Sequence, residues 1–158
     1  NQPVPPGTLP DSLTELYLGY YFNQPIARNV LPAALTTLDL GVQFDKPIAP
    51  DVLPASLKTL VLSNNFNHSL FVFVIRSRKV KTKSILPAGL LKLYFNKKKE
   101  GSKFNKPVPP GTLPDSLTDL YFGTAFNQPL LEEALPSNLN PLSRRGLRSF
   151  IKQGRTHT

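Results

Sequence analysis

The apolar positions of the chain fall on a fixed lattice. Leu-Pro recurs at Leu9-Pro10, Leu31-Pro32, Leu53-Pro54, Leu86-Pro87, Leu113-Pro114 and Leu135-Pro136, with steps of 22, 22, 33, 27 and 22 residues. Behind each pair the large apolar residues keep their offset. Leu13, Leu16 and Leu18 are followed by Leu35, Leu38, Leu40 and by Leu57, Leu60, Leu62. Leu90, Leu93, Phe95 and Leu117, Leu120, Phe122 continue the series. Phe-Asn supplies a second marker at residues 22, 66, 104 and 126, with Phe44-Asp45 as its variant. Self-similarity at this period marks a solenoid, in which each unit buries its apolar side only against its neighbours.

Each unit predicts the same short elements. The tract Leu-x-x-Leu-x-Leu ends in a period-two alternation, as in Leu16-Tyr17-Leu18, which reads as a short strand. Gly19, Gly41 and Gly123 follow at the point where a positive φ turns the chain. Phe22 returns inward, and the next prolines favour extended or turning backbone. The space left allows at most a short helical turn, as at Pro10–Leu13. About six stacked coils would form a parallel ladder with strands ~4.8 Å apart. Asn23, Asp45, Asn67, Asn105 and Asn127 recur at a corner, where a side-chain amide satisfies backbone groups of the next coil. An ionised Asp45 accepts but does not donate, so its rung is expected to be weaker.

Two irregular steps locate insertions, near residues 71–81 and 96–103. The apolar run Leu70–Ile75 has high β-propensity, and exposed it is an aggregation hazard. It is expected to add a strand, to pack under the loop, or to be non-native sequence spliced into a regular array. Asn1-Gln2-Pro3-Val4 matches Asn23-Gln24-Pro25-Ile26, so the chain is expected to begin inside a repeat, as a fragment. The solenoid is expected over residues 1–142, with a basic tail or C-terminal cap over 143–158. Pro141 argues against a strand in the sixth copy. Leu147, Phe150 and Ile151 have amphipathic helix spacing, with Arg144, Arg145, Arg148 and Lys152 around them.

These motifs, Leu13-x-x-Leu16-x-Leu18-Gly19-x-x-Phe22-Asn23-Gln24-Pro25-Ile26 with Gly7-Thr8-Leu9-Pro10-x-Ser12-Leu13 before them, resemble FNIP repeats, a class related to leucine-rich repeats. The resemblance runs from Asn1 to about Leu139. It implies a leucine-rich-repeat-like solenoid of the α/β horseshoe class, with short parallel β-strands on the concave face and a mostly irregular or extended convex side. It also implies no intrinsic catalysis. Members of the family often join the repeats to other domains, including F-box segments, but no such segment is visible here. The departures are Asp45, His68-Ser69 in place of x-Pro, the two insertions and the tail. His68-Ser69 bears on whether the third coil closes normally.

Composition narrows the function. Seventeen prolines, about twice the usual share, exclude a continuous helical bundle. The absence of Cys excludes disulfides, thiolate zinc sites and a thiol nucleophile. The longest apolar run is six residues, against about 20 for a membrane helix, and residues 1–10 do not read as a signal peptide. An intracellular protein is expected, cytoplasmic or nuclear. The net charge of +9 is uneven: −2 over residues 1–68, +10 over 69–106, −4 over 107–143 and +5 over 144–158. One basic cluster holds Arg76, Arg78, Lys79, Lys81 and Lys83, and another Lys97, Lys98, Lys99 and Lys103. They read as a solvated loop edge, a nuclear import signal or a phosphate-binding patch.

No catalytic constellation is present. His68 and His157 lack metal-site companions, and no Gly-rich phosphate loop occurs. Glu132-Glu133 are adjacent and expected on a loop. No enzyme activity, cofactor, metal, membrane or small-molecule substrate is expected. The partner is expected to be another protein, bound on the concave strand face. Its contact column is Tyr17, Asp39, Val61, Tyr94 and Tyr121, with Glu15, Thr37, Thr59, Lys92 and Asp119 two residues upstream. Tyr offers much contact area with few rotors, although stacked tyrosines also serve simply as cross-strand pairs. The alternative is a nucleic acid or other polyanion held by the basic loops and tail, with strong salt dependence.

Overall fold

The computed structural model describes residues 1–76, 79–96 and 101–152. In chain order the strands are β1 (Glu15–Tyr17), β2 (Thr37–Asp39), β3 (Thr59–Leu62), β4 (Phe71–Arg76), β5 (Lys79–Ser84), β6 (Lys92–Phe95), β7 (Asp119–Tyr121) and β8 (Leu130–Leu131). Helix α1 (Pro141–Leu147) and strand β9 (Ile151–Lys152) follow. Five strands form one parallel sheet in the order β1-β2-β3-β6-β7. Each strand is three or four residues long because only the Leu-x-Leu part of a coil alternates. Every Leu-Pro opens a single turn, in which Leu13, Leu35, Leu57, Leu90, Leu117 and Leu139 donate back to the proline carbonyl at 3.0–3.3 Å.

The core is a continuous leucine stack with a phenylalanine row beside it. Leu35, Leu38, Leu40, Leu57, Leu60, Leu62, Leu90 and Leu93 are wholly buried. Phe22, Phe44 and Phe66 lie nearly parallel, with centroids 6.1 and 6.3 Å apart. Phe104 and Phe126 resume the row at 5.9 Å, and Phe95 enters between Phe66 and Phe104. The coils approach so closely after the strand that a Cβ on Gly41 would lie 1.8 Å from the Gly19 carbonyl. Gly41 also has a φ of +79°, so both requirements select glycine there. At the equivalent place in the third coil, buried Ser63 makes the corner with its hydroxyl instead, donating to the Phe44 carbonyl and accepting from Phe66 N at 3.1 Å.

The Asx corner is a ladder. Asn1, Asn23, Asn67 and Asn105 accept, through Oδ1, from the backbone N–H of Asn23, Asp45, Asn105 and Asn127 at 2.8–3.0 Å. Asp45 instead faces the His68 ring, with Nε2 3.0 Å from its Oδ1 but out of line for a hydrogen bond, so the contact is ionic at most. The third coil nevertheless closes, because Leu70 fills the site of Ile26 and Ile48 and is wholly buried. The insertion after it is an antiparallel hairpin, β4 on β5, paired from Phe71↔Ser84 to Arg76↔Lys79. It adds strands to itself and not to the main sheet. It replaces a tight turn seen elsewhere, in which Thr8, Val52 and Thr112 donate to Pro5, Ala49 and Pro109 across a left-handed Gly7, Asp51 or Gly111.

The tail differs from its sequence reading. The helix does not span Leu147, Phe150 and Ile151. It occupies Pro141–Leu147, a 3-10 turn covers Arg148–Phe150, and Ile151 pairs in β9 with Leu130 of β8. Pro141 is the cause: unable to serve a strand, it fits the first turn of a helix, and Asn140 caps that turn by accepting from Ser143 N at 2.8 Å. Leu147 is buried against β7, and Phe150 packs edge-on to Phe126. Glu132-Glu133 likewise sit in a 3-10 turn and not in an open loop, where Glu132 pairs with Arg144.

Candidate interaction face

The strand register builds the face. Leu16, Leu38, Leu60, Leu93 and Leu120 stand in one row, all directed into the core. The residues on either side of each leucine therefore point away from it. Tyr17, Asp39, Val61, Tyr94 and Tyr121 are successive register partners, and so are Glu15, Thr37, Thr59, Lys92 and Asp119. Both columns read from the sequence are thus continuous rows on the outward face of the sheet.

The members of the first row differ in what they offer. Tyr17 is 55% exposed and donates to Glu15 Oε2 at 3.3 Å. Asp39 accepts from Gly41 N at 2.9 Å, which ties its carboxylate to the following turn. Val61 is 3% exposed, so it forms a floor and not a reachable side chain. A hollow of about 420 Å³ lies over it, lined by Tyr20, Asp39, Val42, Asn64 and Asn96 among others. Tyr94 and Tyr121 are half-buried neighbours across β6 and β7. Burial, and secondarily the Asp119 carboxylate, push the Tyr94 hydroxyl above the ordinary tyrosine range.

A second cavity, of about 320 Å³, opens where this row meets α1. Tyr94, Asp119 and Tyr121 form its sheet wall, and Leu142, Ser143, Gly146 and Leu147 its helical wall. Asp119 accepts from Thr118 Oγ1 and from Asn140 Nδ2, each at 2.7 Å, and Ser143 Oγ accepts from Leu120 N at 3.1 Å. Sequence reasoning did not find this helical wall, because it is made by tertiary packing of the tail. It also missed Tyr20 and Tyr21, which are exposed and in edge contact at 4.8 Å. Their signal was an aromatic pair where the other coils carry Val42-Gln43, Asn64-Asn65 and Thr124-Ala125.

Two of the basic candidates, Arg76 and Lys79, lie in a strand pair separate from the sheet that carries this row. Arg76 ends β4 and Lys79 begins β5, in the hairpin that leaves the coil just before a Leu-Pro turn. In the sequence the second basic segment follows β6. Arg78, Lys97, Lys98 and Lys99 lie outside the described residues. Lys83 is engaged with Asp51 at 3.2 Å, and Arg28 approaches the same carboxylate at 3.9 Å. Among the described residues there is no cluster of metal-ligating side chains, and no helix is long and apolar enough to cross a membrane.

Comparison with known families gives a match to the FNIP repeat over residues 1–43, 44–75 and 104–143, most of the chain. The chain belongs to the FNIP repeat family. Comparison with curated proteins finds no match. Among solved structures, this FNIP chain is similar to CroV588, described as a novel circular LRR protein, with 37% identity and a TM-score of 0.62. The similarity covers 88% of this chain and 21% of that one, so the chain spans about a fifth of the relative's length. The parallel sheet and this likeness make the FNIP fold leucine-rich-repeat-like. FNIP and leucine-rich-repeat-like repeats are in general protein-interaction scaffolds and typically non-enzymatic.

Proposed function

We propose that this chain is a recognition scaffold that binds another protein on the concave face of a horseshoe, as one arm of a larger adaptor. The observation that carries the reading is the register itself, which sets Tyr17, Asp39, Val61, Tyr94 and Tyr121 in one row on the outward sheet face. Rigid, amphipathic tyrosines on a stiff ladder suit binding because little rotor entropy is lost. In this reading residues 1–142 form the binding solenoid, and the segment from 143 onward closes its last coil as a cap. Capture of partner proteins by the full chain tests it. Tyr17→Ala with Tyr121→Ala is expected to abolish capture, and deletion of Lys97–Lys99 to leave it. The reverse result, with capture lost between low and physiological salt, would replace the protein partner by a polyanion.

A further inference from the structure

The cavity between β6, β7 and α1 has a chemistry that selects its occupant. Among the described residues, Asp119 is the one formally charged residue lining it. Two tyrosines from adjacent strands flank that carboxylate, with Tyr121 two residues along the same strand face and Tyr94 the register partner of Tyr121. The helix that closes the cavity carries Arg144 and Arg145, yet it presents Leu142, Ser143, Gly146 and Leu147 to the cavity. Arg144 is instead paired with Glu132. Lys92, the register partner of Asp119, is exposed and is not part of the lining.

We infer that this cavity is the anchor pocket for a basic side chain, an arginine or lysine, of the partner protein. The inference rests on the scaffold reading above and adds the chemistry of the residue recognised. Both Asp119 oxygens already accept one hydrogen bond each, which fixes the carboxylate plane and leaves one lone pair per oxygen for the incoming cation. The tyrosine faces add cation–π attraction, which is stronger in a site partly withdrawn from water. Burial is the larger cause of the upward shift at Tyr94, and the Asp119 carboxylate the smaller one; the second cause alone marks the negative potential that favours a cation at this wall.

The test titrates the full chain, labelled for amide NMR, with three blocked tripeptides: Gly-Arg-Gly, Gly-Lys-Gly and Gly-citrulline-Gly, the last a neutral isostere of the first. The basic peptides are expected to shift the amides of Tyr94, Leu120, Tyr121 and Gly146, and the citrulline peptide at least tenfold less. Asp119→Asn keeps the acceptor for Asn140 and is expected to weaken basic-peptide binding at least tenfold. Tyr94→Leu supplies a second variant should Asp119→Asn disturb α1. Equal shifts with citrulline, or basic-peptide binding untouched by both variants, overturns the inference. Tighter binding of free spermidine with no response to either peptide also overturns it, in favour of a small cation. If the peptides fail while the concave tyrosine variants still abolish partner capture, the scaffold reading stands and this inference alone falls.

Discussion

Leu13, Leu16 and Leu18 in the first full coil, and Leu35, Leu38 and Leu40 in the second, are the same residues at the same offsets. The second trio is wholly buried, whereas the first is only partly so. Leu117, Leu120 and Phe122 near the other end are buried again, because α1, Leu139 and Leu147 lie over them. The motif alone therefore does not bury its leucines. Burial is a property of having a neighbour on each side, and most of the stabilisation lies in the interfaces between coils.

The sharpest break of that comparison uses the phenylalanine row. Phe44, stacked on both sides, is expected to cost about 3–5 kcal/mol when changed to Ala, and Phe22, stacked on one, clearly less. Urea unfolding followed by circular dichroism measures both, and equal losses would show that the row is not cooperative. Leu38→Ala is expected to cost about 2–5 kcal/mol, against about half of that for Leu16→Ala. Asn105 accepts from both Asn127 N and Gln128 Nε2, so Asn105→Ala is expected to cost about 1–3 kcal/mol. Asn23 serves a single, exposed backbone donor, and Asn23→Ala should fall at or below the low end of that range.

A smaller effect follows from Tyr94. Its ionisation is raised by burial and then by Asp119, so above pH ~10 the unfolded chain releases a proton that the folded chain retains. Stability is therefore full below about pH 10 and declines as pH rises toward the folded value. Asp119→Asn should reduce the decline, and ultraviolet titration of tyrosinate reads it directly. The smallest effect is expected at Gly146, where an added Cβ meets nothing within 4 Å. Gly146→Ala should stabilise α1 by about 0.5–1 kcal/mol, detected as a modest rise in Tm.

The parts legible in the sequence are those that repeat. A single pairing error would have shown as a broken row, and the recurrence of Leu16, Leu38, Leu60, Leu93 and Leu120 fixed the register of the whole parallel sheet. The Asx ladder was legible for the same reason, but not the cause of its interruption at Asp45: the rungs use only the acceptor oxygen, so the donor that Asp45 lacks is not what breaks it, and Asp45 instead faces His68. What does not recur stayed open. The run Leu70–Ile75 reads as an added strand, a segment packed under the loop or non-native sequence; Phe71–Ile75 enters a hairpin, and a continuously apolar run does not name its partner strand. Pro141 was legible as a strand breaker, but its role as the start of a helix depended on Asn140 as cap. Val61 shares an outward position with Tyr17, yet it is short and lies between Asp39 and Tyr94, and it is buried.

The base of the hairpin has a further consequence. Ile85 N donates to the Leu70 carbonyl at 2.9 Å, and both side chains sit in the core. Whatever lies between these two residues enters and leaves the coil through a single clasp. In the other coils the same interval holds only a few residues, such as Ala49-Pro50-Asp51, and here it holds eleven more. The stack thus takes up eleven extra residues at this point while the leucine register of the coils on either side continues unbroken. The inserted hairpin is also tied to its neighbours, because Thr82 and Ser84 donate to the Pro110 and Thr112 carbonyls, so the insertion staples two coils as well as hanging from one.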